Sequence, residues 1–97
     1  MKIKEWQIEI HKNAVEHGWW EDKRPIPEIL CLIHSEISEA LEAYRKDDWG
    51  NFKEELADVA IRLLDASQGY GIDLEYEIEM KHEFNKNRPF RHGNKKC

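Results

Sequence analysis

Between Pro27 and about Lys46 the apolar residues recur with helical spacing. Wound at about 100° per residue, Ile29, Leu30, Leu32, Ile33, Ile37, Ala40, Leu41 and Tyr44 share one broad arc. Glu36 falls inside that arc, and Glu39 lies at its edge beside Leu32. The stretch has to be a helix to gather its apolar residues, and the same helix carries a carboxylate to where hydration is lost. An ionised carboxylate so placed is strongly destabilising unless something compensates it. Two compensations are open at this level. A divalent cation is the stronger, and Glu-x-x-Glu sets both side chains on one face to share it. A salt bridge from a core-facing Arg or Lys is the other.

Three further stretches have helical periodicity. The first runs from about Ile3 to His17 and stops at Gly18, a residue suited to a helix C-terminus. After the turn Asp47-Asp48-Trp49-Gly50-Asn51 a third is expected to about Gln68, where Gly69-Tyr70-Gly71 breaks it. Asp73 caps a fourth, and Pro89 stops it after Arg88. A chain of 97 residues has room for one domain, 1–97. Its composition, 40% hydrophobic and 36% charged with three Pro and five Gly, suits amphipathic helices and is too poor in turn residues for a sandwich of short strands. The expected fold is all-α, a bundle of four helices whose short connections make neighbours antiparallel. The core is thin at this size, and self-association would enlarge it. No apolar run approaches the roughly 18–20 residues of a membrane span, and the opening residues have no signal-peptide core. Cys31 and Cys97 form neither a disulfide framework nor a zinc spacing. A cytoplasmic protein without a membrane partner is the expectation.

On the third helix Phe52, Leu56, Val59, Ala60, Leu63 and Leu64 make the apolar face, while Glu55 and Asp58 lie opposite with Glu54, Arg62 and Asp65. Taken alone, that opposite side reads as a solvated face. Pairing alters the picture. The second and third helices are joined by a short turn, so they pack antiparallel and bring Glu36/Glu39 and Glu55/Asp58 to similar heights. Four converging carboxylates repel one another, and a hard cation such as Mg²⁺ removes that penalty.

The fourth helix supplies opposite charge. Lys81, Asn85 and Arg88 lie at i, i+4 and i+7 on a stripe continued by Leu74 and Ile78. Such donors suit a phosphate chain, or alternatively partner the buried acids. Gln7 sits among Ile3, Ile10 and Ala14, so its amide faces inward and needs partners from protein, water or ligand. Trp19 and Trp20, with His11 upstream, either cover the open end of the core or offer a ring on which a nucleobase stacks. Charge is unevenly spread. Residues 1–80 carry 19 acids against 9 Lys/Arg, whereas residues 81–97 carry 6 Lys/Arg against Glu83 alone, with a basic tail at about 89–97. An acidic body excludes duplex nucleic acid as a partner, because that binding requires phosphate neutralisation.

The ordered set Glu36-Ile-Ser-Glu39, Glu55-Leu-Ala-Asp58 and Lys81…Asn85…Arg88 resembles the MazG-like, all-α nucleoside triphosphate pyrophosphohydrolases. It is similar to their small single-domain branch through His11-Lys-Asn-Ala14, Gly18-Trp-Trp20, Ile33-His-Ser-Glu36, Gly71-Ile-Asp73 and Arg88-Pro-Phe-Arg-His-Gly93, so the resemblance spans about residues 6–95. The resemblance implies a hydrolase splitting (deoxy)nucleoside triphosphates between the α and β phosphates into monophosphate and pyrophosphate. It implies that Glu36, Glu39, Glu55 and Asp58 ligate Mg²⁺, with Mn²⁺ as a substitute, and that Lys81, Asn85 and Arg88 hold the phosphate chain. It also implies base recognition by His11 and Trp20, nine residues apart, with Trp19 as a substitute and Gln7 nearby. A homodimer or dimer of dimers, with sites completed across protomers, is implied as well.

The residue-level chemistry agrees with that implication. Phosphoryl transfer depends on positioning and charge neutralisation more than on a side-chain nucleophile, and Glu36 or Glu39 is placed to take a proton from the attacking water. No glycine-rich phosphate loop is present. A di-iron carboxylate bundle needs two Glu-x-x-His pairs, and only Glu79-Met-Lys-His82 fits. The alternative of another class is a non-catalytic helical module, binding nucleotide or a protein partner, in which the acids are merely paired with Lys81 and Arg88.

Overall fold

The computed structural model describes residues 1–22 and 24–89. Every regular element among them is an α-helix: α1 (Ile3–Glu16), α2 (Ile26–Arg45), α3 (Trp49–Gly69) and α4 (Leu74–Lys86). The expected basic tail, Cys97 included, lies outside the described residues from position 90 onward. No helix among the described residues is long and apolar enough to cross a membrane.

Three of the helices end in the same way. At the end of α1, Gly18 adopts φ +84° while Trp19 N–H returns to the Ala14 carbonyl and Gly18 N–H to that of Val15. Gly71, at φ +71°, plays the same part after α3, with Ile72 N–H on Ser67 and its own N–H on Gln68. Asp47 takes this left-handed position after α2 at φ 57°, a conformation that an Asp tolerates better than most residues. The turn expected over 47–51 is therefore shorter than its sequence suggests. Asp48 is already the N-cap, accepting from Asn51 N–H at 3.1 Å, and Trp49 is helical. Asp73 caps α4 as expected, accepting from Tyr76 N–H at 3.1 Å, and that helix stops at Lys86, two residues before Arg88.

Helix α3 is the hub. α2 packs along it most extensively and α1 lies against it as well, whereas α4 touches α1 and α3 lightly. Among the described residues α1 does not pack on α2, nor α2 on α4, so one chain forms an open arrangement and not a closed four-helix bundle. The radius of gyration, 15.9 Å, exceeds the roughly 13 Å of a compact 100-residue domain. Ala40 and Ala43 are the only fully buried apolar side chains among the described residues. Half of the apolar arc on α2, namely Leu30, Ile37, Leu41 and Tyr44, is exposed, and so are Leu56 and Leu63 on α3. The cause is visible at the α2–α3 seam, where α2 turns Glu36, Ala40 and Ala43 inward, a stripe at i, i+4 and i+7. Small alanines let the helix axes approach closely, and the polar Glu36 directs the seam toward partners on α3. The flanking apolar side chains are consequently left on the outer faces.

Gln7 ties the open arrangement together. It is buried at 2% exposure, and its amide nitrogen donates to Gln68 Oε1 (3.0 Å) and to the Ile72 carbonyl (2.6 Å), while its oxygen accepts from Leu74 N–H (3.3 Å). Its amide is therefore engaged by the turn between α3 and α4, which corrects its expected role beside a nucleobase. Lys4 reinforces this junction through Asp73 at 3.5 Å, and its backbone N–H donates to Glu75.

Trp20 packs at the same C-terminal end of α3. Its indole N–H donates to both oxygens of Asp65 (3.0 and 3.2 Å), and its ring meets His11 and Tyr70 edge-on, with centroids 5.0 and 5.9 Å away. The ring lies so close over Gly69 that a Cβ there would overlap it. Glycine at this last helical position is thus dictated by packing, and Gly71 is the residue that breaks the helix. Gly69→Ala is expected to lower stability by about 1–3 kcal/mol, overriding the roughly 1 kcal/mol that alanine ordinarily adds to a helix. Urea unfolding monitored by circular dichroism measures this, and an unchanged or raised midpoint would mean that Trp20 is not fixed there.

Candidate metal centre

The antiparallel seam opposes α2 and α3 so that Glu36 meets Arg62 while Glu55 meets both Glu36 and Glu39. One carboxylate oxygen from each of Glu36, Glu39 and Glu55 lies within 4.8 Å of the other two. The three differ in how they are compensated. Glu36, 9% exposed, accepts from Arg62 Nε at 2.7 Å. That hydrogen bond, followed by the guanidinium charge, holds the Glu36 carboxyl below the usual carboxylate range in spite of its burial. Glu39 is exposed. Glu55 is the uncompensated member. Its Oε2 is buried with no hydrogen-bond partner, and loss of hydration raises its carboxyl pKa to about 7, aided by a proton shared with Glu39 and Glu36 and by the negative charges of Glu39 and Asp58.

Of the four carboxylates read from the sequence, three thus converge. Asp58, one turn beyond Glu55, stands outside the triad and faces a neighbouring cleft together with Glu36. The solvated face expected for the polar side of α3 holds at the exposed Glu54 and Asp58 and is overturned at the other three positions. Glu55, Arg62 and Asp65 all turn toward α1, α2 or the Trp loop and are only partly exposed. Arg62 and Asp65 are the functional residues that helical winding of α3 alone misses. The spacing Glu55, Asp58, Arg62, Asp65 is itself a helical stripe, and one arginine set among three acids was the available signal.

The cleft beside the triad has a volume of about 610 Å³ and is walled by Trp19, Glu36, Asp58, Arg62 and Asp65, with Asn13 and His17 from the end of α1. Trp19 separates it from a smaller cavity of about 40 Å³ lined by Trp20, Arg24, Ile29 and Leu32. The guanidinium carbons of Arg24 and Arg62 lie 5.0 and 4.9 Å from the Trp19 ring centroid. The two tryptophans have distinct tasks. Trp20 and His11 are both bonded to Asp65, His11 Nδ1 at 2.8 Å, and stand behind that cleft residue, whereas Trp19 stands 43% exposed at the cleft.

The fourth-helix donors are not brought to the triad by their own chain. Lys81 and Asn85 are exposed, Lys81 Nζ and Arg88 Cζ lie 4.7 and 5.6 Å from the Phe84 ring, and α4 makes no packing contact with α2. The inward stripe expected through Leu74 and Ile78 holds only at Leu74, since Ile78 is exposed. Comparison of the chain with family models, curated proteins and solved structures gives no match.

The triad offers only hard carboxylate oxygens, one of them buried and lacking any donor, which fits Mg²⁺ or Mn²⁺ and disfavours softer metals. The Glu55 carboxyl has its folded pKa (about 7) above the unfolded value of 4.5, so the folded state binds the proton more tightly. Its contribution to stability is complete below the unfolded pKa and is lost as pH rises through about 7. In chelator, the Tm is expected to fall as pH is raised from about 5 to 8. Added Mg²⁺ restores it most at the alkaline end, and Glu55→Gln flattens the slope. A flat wild-type profile under differential scanning fluorimetry contradicts the crowding of these carboxyls.

Proposed function

We propose that this protein is a Mg²⁺-dependent hydrolase of (deoxy)nucleoside triphosphates that cleaves between the α and β phosphates, releasing monophosphate and pyrophosphate. The observation that carries the reading is the uncompensated Glu55 carboxyl within 4.8 Å of Glu39 and of Glu36, the member of the three that lines the cleft. Glu36, Glu39 and Glu55 would hold the dication, with Asp58 next to them. When bound, the ion supplies neutralisation of phosphate charge and a more acidic water. Glu39, exposed and paired with no cation among the described residues, is the freer of the two carboxylates suited to accept that water's proton, since Glu36 is tied to Arg62. Trp19, at the cleft, would be the ring that meets a base in exchange for one of the two guanidinium groups now over it, beside an Asp65 fixed by Trp20 and His11.

Lys81, Asn85 and Arg88 reach phosphates in this scheme from a second copy of the chain. Support comes from the exposed apolar faces of α2 and α3 and from Met80 and Phe84 on α4, which a homodimer or dimer of dimers would cover to close the MazG-like bundle. The non-catalytic alternative, a helical module that binds nucleotide or a protein, draws support from the Arg62–Glu36 pair, which neutralises one acid without metal.

A panel of (d)NTPs assayed for released pyrophosphate with and without Mg²⁺ separates the two readings, and turnover is expected only with the metal. Glu39→Gln and Asp58→Asn should each reduce kcat by at least about a hundredfold while far-UV circular dichroism remains native. Full activity in both variants rejects the metal assignment. Lys81→Ala should raise KM for triphosphate more than it changes Mg²⁺ affinity, and an unaltered KM removes Lys81 from the phosphate site.

A further inference from the structure

Arg62 makes two contacts that a simple structural ion pair does not require. Its Nε donates to Glu36 Oε1 at 2.7 Å, and its guanidinium carbon lies 4.9 Å over the Trp19 ring. A guanidinium carries five N–H donors, and among the described residues only the Nε donor has a hydrogen-bond partner. Among the side chains lining the large cleft, Arg62 is the one permanent cation, facing Glu9, Glu36, Asp58 and Asp65. The cleft is therefore hostile to an anion except at this guanidinium.

We propose that Arg62 is the resident counter-cation of the carboxylate triad, competing with a divalent cation for Glu36 and presenting its free donors, from the face of Trp19, to a phosphate-bearing ligand in the cleft. The inference rests on the metal-dependent reading above and deepens it. A dication shared by Glu36, Glu39 and Glu55 sets like charge beside the guanidinium, which weakens the hold of Glu36 on Arg62. The Trp19 ring keeps the guanidinium at the lip by a cation–π contact that survives the loss of the carboxylate. Arginine's planar fork then suits a phosphate bidentately, as a lysine ammonium does not. Cation and anion thus bind in support of one another: metal without phosphate has to compete with Arg62, and phosphate without metal meets a guanidinium whose charge Glu36 already neutralises.

The test uses the full chain as wild type, Arg62→Ala, Arg62→Gln and Arg62→Lys. Mg²⁺ is titrated alone by thermal shift and calorimetry, and an α,β-methylene triphosphate is titrated at saturating Mg²⁺. Removing the competitor should tighten Mg²⁺ binding roughly tenfold while weakening the triphosphate analogue by a similar factor, within the range usual for coupled sites. Arg62→Lys should keep most of the metal effect of wild type but lose the analogue affinity. Trp emission should change when Mg²⁺ is added to wild type and not when it is added to Arg62→Gln or Trp19→Phe. A residue that only braces the seam would leave both affinities unchanged or weaken them together. That result overturns the role of Arg62 while leaving the metal site standing. A wild-type chain that does not bind Mg²⁺ at all overturns the functional reading and this inference with it. Should Arg62→Ala fail to fold, the less drastic Arg62→Gln carries the same comparison.

Discussion

Mutual repulsion among three carboxylates confined within 4.8 Å on the α2–α3 seam is the constraint around which the molecule is arranged. In most small helical domains the seam between the two longest helices is the apolar core. Here it is polar through its middle, and the only fully buried apolar side chains described are two alanines one helical face further along. Each carboxylate deals with the crowding differently. Glu36 takes the single available guanidinium, Glu39 stays in solvent, and Glu55 keeps a proton that an ordinary glutamic acid would release at a lower pH. Three carboxyl groups against one guanidinium leave the cluster short of positive charge.

What the sequence made legible follows from this constraint. Four helices, their caps at Asp48 and Asp73, and the stop at Gly18 are local matters, decided by backbone chemistry within a few residues. The inward position of Glu36 was legible because it interrupts an apolar arc. The rotation of α3 was not, because that helix has two candidate inner faces. Periodicity favoured the side bearing Leu56, Ala60 and Leu63, whereas packing chose a compromise in which Glu55, Val59 and Arg62 meet α2 and α1. Hydrophobic winding assumes that the wettest face is the outer one. Paired charges break that assumption, since Arg62 and Glu36 together cost less to bury than either would alone. The difference between Trp19 and Trp20 was equally hidden, because it depends on Asp65 reaching back across 45 residues to the Trp20 indole.

The outer apolar faces and the polar seam are two consequences of one choice. A helix has a single circumference, so turning Glu36 inward turns Ile37 and Leu41 outward, and these are half exposed. The same holds on α3, where admitting Glu55 and Arg62 to the seam displaces Leu56 and Leu63. A chain of this size cannot recover the lost burial elsewhere. Its exposed leucines, isoleucines and aromatics lie on all four helices, and Lys81 on α4 and Arg88 just after it stand beside the Phe84 ring. Covering those faces and delivering cations to the triad are therefore compatible demands on one partner surface.

This coupling bears on why such a seam persists. Replacing the triad by apolar residues of similar volume would ordinarily strengthen a small helical domain, because buried charges seldom stabilise in proportion to their desolvation cost. A site kept against that gradient is the signature expected where stability has been traded for binding. Ligand and fold would then share one free energy, since whatever neutralises Glu55 also relieves the carboxyl crowding at the α2–α3 contact, and a ligand that binds only the native state must stabilise it. On this view Arg62 keeps the ligand-free chain folded, by neutralising part of a cluster that would otherwise push α2 from α3, and in doing so it sets the threshold that an incoming cation has to exceed.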